Sequence, residues 1–270
     1  MRFGDAWVKP DPAKSVSWEK AYGIPTEHFL VMSTLPRERA LEIASDLEAL
    51  YRIWEEILEG IGPARGEGEN PKVWALQTAA DLQACVAAIY PAGVETVRDP
   101  GTPGLAATNR NAFFDEQGPQ RFGHSIRIGL FHEGSHLIHF DVPGSDVRSA
   151  PVWAVEGTAV LMETLETVKS PDWNAAAPPF RATARAFAAV VPEAVPALPG
   201  MDKPVFYQDN QTHYAQAFLL AHWLLYGHGG LHRADFLRYA LGIGGGGEIP
   251  PCKGEALAGE IQRYLKSLKR

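Results

Sequence analysis

Two histidines and a glutamate in the run Phe131-His132-Glu133-Gly134-Ser135-His136-Leu137 are the residues of this chain best suited to chemistry. The segment has a helical pattern, and residues four apart on a helix lie on one face, about 6 Å from each other. His132 and His136 can therefore share one ion, and zinc takes imidazole nitrogens at about 2.0–2.1 Å in a roughly tetrahedral site. Glu133, one residue further round, is too rotated to join them easily. It can instead reach a metal-bound water as a general base. The plainer alternative is a pair of partly buried histidines satisfied by hydrogen bonds.

A third ligand is available downstream. Pro151-Val152-Trp153-Ala154-Val155-Glu156 opens a new helix with proline in its first turn, and Glu156 follows His136 by 20 positions. That is chain enough for a helix end, a loop and a second helix crossing back. Two histidines and one glutamate leave a fourth position open to water, the arrangement of catalytic rather than structural zinc. Such a site also accepts manganese, cobalt or nickel. As an ordinary first-turn acid, Glu156 would instead be solvated and favoured by the helix dipole. His139 competes as a ligand, but it stands about 10 Å along the axis from His132 and is expected to pack behind the site.

These residues need elements to hold them. His28 to Ser33 reads as a buried strand, followed by a helix whose apolar face recurs from Ala40 through Ile43, Leu47, Leu50 and Trp54 to Leu58. Val73 to Leu76 reads as a second strand, with an alanine-rich helix near 81–89 and a short strand at Ala112-Phe113-Phe114. Residues 91–111 carry many Pro, Gly and Asn and read as a long connection. From about residue 125 the pattern is helical, near 127–140, 151–167, 181–191, 212–226, 231–241 and 254–268. The expected fold is α+β: an irregular leader over 1–25, then one domain over 26–270. Its α+β part covers about 26–125 and its helical part about 126–270, with a site cleft between them.

Composition narrows the function classes. A chain of 270 residues with 46% hydrophobic and 21% charged residues can bury a sizeable core, which argues against wholesale disorder. A net charge of −7 without a Lys/Arg-rich run argues against nucleic acid or an anionic membrane as partner. Two cysteines, Cys85 and Cys252, form neither a disulfide framework nor a metal knuckle. The start, Met1 to Val16, has no apolar signal segment, which fits a cytoplasmic chain; one whose signal had been trimmed would be secreted or periplasmic. Gly242, Gly244 and Gly247 match a dinucleotide-binding spacing, but Pro250-Pro251 follows where a phosphate-binding helix should begin, so this is a loop. Nothing in the sequence specifies an oligomeric state.

The pairing of H-E-x-x-H with a W-x-x-E-G-x-A motif at Trp153 to Ala159 resembles the gluzincin, or thermolysin-like, zinc metallopeptidases. It is most similar to bacterial domains of the peptidase MA-like kind, many of them uncharacterised. A weaker likeness covers residues 28–59 and Tyr214-Ala215-Gln216-Ala217. The resemblance implies a zincin-like fold with a small mixed sheet before the site helix and a helical lobe behind it. It implies one zinc per chain on His132, His136 and Glu156, Glu133 as the base, and a peptide or protein substrate. It also points to Tyr214 as oxyanion donor, with Tyr207, His213, His222 and His228 as competitors. A metzincin set is excluded, because Val142 stands where its third histidine belongs. Thermolysin-like enzymes often carry an acid four residues after the third ligand; here that residue is Val160, and Glu163, nearly two turns on, is expected to be a poor substitute. The alternatives are a catalytically inactive zincin-like metal-binding or interaction domain, and a His/Glu-rich core with no metal.

Overall fold

The apolar runs at 30–33 and 73–76 become neighbouring parallel strands because a long helix separates them and carries the chain back across the sheet. The computed structural model describes residues 17–66, 68–99, 102, 104–116, 126–163, 192–244 and 254–268. Within them one mixed sheet contains β1 (Tyr22–Pro25), β2 (Leu30–Ser33), β3 (Lys72–Leu76), β4 (Gly104–Ala107) and β5 (Asn111–Asp115), in the order β1-β2-β3-β5-β4. The three inner strands are parallel, with Val31 opposite Val73 and Val73 opposite Ala112. Both outer strands are antiparallel to their neighbours.

The helix between β2 and β3 is α1 (Arg37–Ile57), which buries the face running from Ala40 to Ile57. It packs on one side of the sheet. On the other side lie α2 (Ala79–Ile89), whose Thr78 side chain accepts from the Asp81 amide, and α3 (Val94–Arg98). Alternation along β5 divides the two cores: Phe114 joins the cluster built on α1, while Phe113 joins Leu82, Cys85, Val86 and Val97. Each core is closed by apolar side chains that are almost entirely buried.

The helical half follows as α4 (Ile126–Asp141), α5 (Val152–Glu163), α6 (Lys203–Phe206), α7 (Asn210–Tyr226), α8 (Arg233–Ala240) and α9 (Gly254–Leu268). A 3-10 helix over Pro192–Gly200 absorbs the prolines that mark this stretch. Its Pro196 and Pro199 lack the amide donors that a continuous helical ladder needs. The α+β character is as expected. Two stretches differ from expectation. The end of the supposed leader is β1, paired with β2 through Ile24 and Val31. The supposed long connection contains the short helix α3 and the strand β4, whose Gly-Leu-Ala-Ala composition is a weak strand signal. The helix expected near 181–191 and the end of the one expected over 151–167 lie outside the described residues. Among the described residues, no helix is long and apolar enough to cross a membrane.

Candidate metal centre

Helix α4 owes its position to a glycine. A Cβ on Gly134 would stand 2.8 Å from the Leu50 side-chain tip of α1, so a larger residue there would force Leu50 to shift. Beside it, Trp54 of α1 donates its indole N–H to Ser135 Oγ at 3.2 Å, and Ser135 donates to the Phe131 carbonyl. With that face fixed against α1, the opposite face of α4 carries His132 and His136 towards α5. Gly157 does the same for α5, because a Cβ there would stand 2.5 Å from the Ala217 carbonyl of α7. The helix bearing Glu156 is therefore wedged between α4 and α7.

The three predicted ligands converge. His132 Nε2 and His136 Nε2 are 3.1 Å apart, and Glu156 Oε2 lies 3.2 Å from the first and 3.4 Å from the second. Tetrahedral ligands held about 2.0–2.1 Å from one ion stand about 3.3 Å from each other, so this triangle has the size a zinc ion requires. All three residues are largely buried. Glu156 Oε2 is shielded from solvent and makes no well-formed hydrogen bond. An acceptor left without a partner in such a place is costly, and a cation facing all three atoms would satisfy it. The residues present fit a divalent metal.

Their outer partners fix them. Glu163 Oε1 accepts from His132 Nδ1 at 2.7 Å, which turns Nε2 towards the triangle. The expectation that Glu163 is too distant is thus corrected. Glu156 and Glu163 are seven positions apart on α5, almost two full turns, so they share a face, and their carboxylates lean to opposite nitrogens of the His132 ring between them. Val160 is buried in the apolar core instead. The other oxygen of Glu156, Oε1, accepts from the Tyr207 hydroxyl at 2.5 Å. Tyr214 lies beside this group with its ring stacked against His132, centroids 5.8 Å apart. Both tyrosines face the site, and Tyr207 is the one whose hydroxyl meets a ligand. His139 is fully buried, edge-on to Trp54 and 3.3 Å from Thr158 Oγ1, so it packs behind the site as expected.

Glu133 reaches the sheet. Its Oε2 accepts from the Ala106 amide of β4 at 2.7 Å, and Gly104 of the same strand leaves room for its side chain. The proposed base thus sits between the two histidines and the outermost strand.

Electrostatics couple the cluster. Burial works to lower the His132 pKa, but the neighbouring Glu156 and Glu163 carboxylates outweigh it and hold the ring well above the ordinary imidazole value. Burial works to raise the Glu156 carboxyl, and the neighbouring His136 and His132 outweigh that, holding it well below the usual carboxylate range. Burial, then the Glu156 charge, raises both Tyr207 and Tyr214, so both hydroxyls keep their protons. Burial pushes His139 down to about 3, so it stays neutral.

A second cluster of the same residue types lies at the β1–β2 turn, where Glu27, His28 and Glu48 bring ligand atoms together. Here Glu48 accepts from the His28 amide at 2.9 Å and pairs with His28 Nδ1 at 2.6 Å. The ring stacks on Tyr51, centroids 3.6 Å apart. No family model, curated protein or solved structure matches this chain.

Proposed function

We propose that this chain is a zinc-dependent metallopeptidase that hydrolyses peptide bonds. The observation that carries the proposal is the triangle of His132 Nε2, His136 Nε2 and Glu156 Oε2, with edges of 3.1–3.4 Å and a buried carboxylate oxygen lacking a hydrogen bond. His132, His136 and Glu156 would hold the ion. When bound, zinc supplies a water whose pKa falls to about 7 and polarises the scissile carbonyl.

The remaining work falls to the protein's own residues. Glu133 takes the proton of the attacking water on a carboxylate oxygen and passes it to the departing amine. Tyr207, protonated, would donate to a developing oxyanion by giving up its hydrogen bond to Glu156 Oε1; Tyr214, stacked on His132, is the second candidate. Glu163 keeps His132 in the tautomer that presents Nε2.

The test is hydrolysis of a mixed fluorogenic peptide library by zinc-loaded protein, with and without chelator. Turnover that chelation stops, and that falls at least about 100-fold in Glu133→Gln while zinc is retained, is the expected result. Full activity in Glu133→Gln would overturn the mechanism. The second reading, a zinc-binding domain without turnover, is favoured by one observation: Glu133 Oε2 is already engaged by the Ala106 amide. One zinc per chain with no turnover of any library peptide would select it.

A further inference from the structure

The turn between β4 and β5 contains a residue in a conformation it should avoid. Arg110 has φ +63°, in the left-handed region that residues with a Cβ rarely adopt and glycine adopts freely. Three-residue hairpin loops such as Thr108-Asn109-Arg110 normally place glycine at this point. Strain of this kind persists only where the surroundings hold it, and it points to a task for the side chain.

That task is visible at the far end of α4. Arg110 Nη2 lies 2.7 Å from Asp141 Oδ1, with the Asp141 side chain only 7% exposed. The Asp141 carbonyl accepts from the Gly66 amide at 2.8 Å, so the end of α4 is held from a second side. Burial raises the Asp141 carboxyl, and Arg110 and Arg65 work against that rise. The Arg110 carbonyl accepts from the Lys72 amide at 2.9 Å, which ties the turn to β3.

Besides packing along α4, the hairpin makes two polar contacts with it: Ala106 on Glu133, and Arg110 on Asp141. Eight helical residues separate Glu133 from Asp141, a rise of about 12 Å. Along the hairpin, Ala106 and Arg110 are separated by about two strand residues, or about 7 Å, and the long arginine side chain covers the remainder. The two contacts fix both the height and the tilt of β4 beside the site helix.

The geometry points to Arg110 as a positioning residue: its ion pair with Asp141 clamps the β4–β5 hairpin against α4 and so brings the Ala106 amide to the Glu133 carboxylate. The clamp is a property of the fold. Its consequence for catalysis, the aim of the general base, rests on the metallopeptidase proposal.

The test is amide hydrogen exchange at Ala106, measured by NMR on the full chain, in wild type, Arg110→Asn, Arg110→Lys and Asp141→Asn. Asparagine tolerates the left-handed conformation, so Arg110→Asn removes the ion pair and keeps the turn. Ala106 is expected to exchange about tenfold faster in Arg110→Asn and Asp141→Asn, with β3 amides unchanged and Arg110→Lys close to wild type. Glu133→Ala should release Ala106 to a similar degree. Combined with Arg110→Asn it should add little, because both changes break one linked contact. Unchanged exchange at Ala106, loss of protection spreading through β3, or simple additivity of the two changes overturns the clamp. Zinc content of the same wild-type protein is read separately: a chain that binds no zinc defeats the metallopeptidase proposal, and the exchange data still decide the clamp.

Discussion

Two clusters in this molecule are built from one histidine type and one acid type, and they are satisfied in opposite ways. At the β1–β2 turn, Glu48 accepts from the backbone amide and the ring of His28, and the ring lies flat on Tyr51. The remaining acid, Glu27, is largely exposed and 4.0 Å from His28 Nε2. Little is left for an ion to improve. Between α4 and α5 the outward-facing ring nitrogen of His132 is taken by Glu163, while Nε2 of both histidines and Oε2 of Glu156 crowd one point with no good hydrogen bond for the carboxylate oxygen. Residue types alone do not make a metal centre. What separates the two clusters is three buried ligand atoms crowded at one place, one of them a carboxylate oxygen without a hydrogen bond.

The comparison can be sharpened from its strongest consequence down. Glu163→Gln should weaken zinc affinity about 10–100-fold while leaving the fold intact, as measured by zinc titration against a chromophoric chelator. An unchanged affinity would mean that the His132–Glu163 pair is only a packing contact. At the other cluster, Glu48→Gln should cost about 1–2 kcal/mol of unfolding free energy and leave zinc affinity unchanged, because it breaks hydrogen bonds that a charged acceptor strengthens. A loss of zinc in that variant would put metal at the wrong cluster.

A third effect, confined to acid pH, separates both clusters from an ordinary buried histidine. His222 of α7 pairs with the Tyr264 hydroxyl of α9 at 2.7 Å, and burial pushes its pKa down to about 4, against the ordinary 6.5. Between those values the unfolded chain binds a proton that the folded chain refuses. Stability is therefore full above pH 6.5 and declines as pH falls towards 4. His222→Gln should flatten that part of the acid limb in chemical denaturation, and an unaltered limb would show that His222 does not carry it.

Much of this was legible in the sequence, for reasons that differ between residues. His132, His136 and Glu156 could be named because helical spacing fixes which side chains share a face, and because the chain between them is long enough to return. The helices over 37–57, 126–141 and 210–226 carry strong apolar patterns, and they form with small shifts at their ends. Glu163 is hidden by its spacing: distance along one helix is a poor guide when two flexible carboxylate arms lean to opposite nitrogens of one ring. Strand β4 gave no signal, because Gly104, Leu105, Ala106 and Ala107 acquire their extended form from pairing with β5 and contact with α4. The Arg110–Asp141 clamp joins residues 31 apart through a strained turn, and no local pattern marks such a pair.

The cluster between α4 and α5 is expected to hold one zinc ion, and the surface cluster none. Plasma mass spectrometry on protein purified without chelator or nickel resin, then offered zinc and desalted, tests this directly in three chains. The account predicts about one zinc per chain in wild type, none in His136→Ala, and about one in His28→Ala. No zinc in wild type, or zinc lost with His28→Ala and kept with His136→Ala, would contradict it.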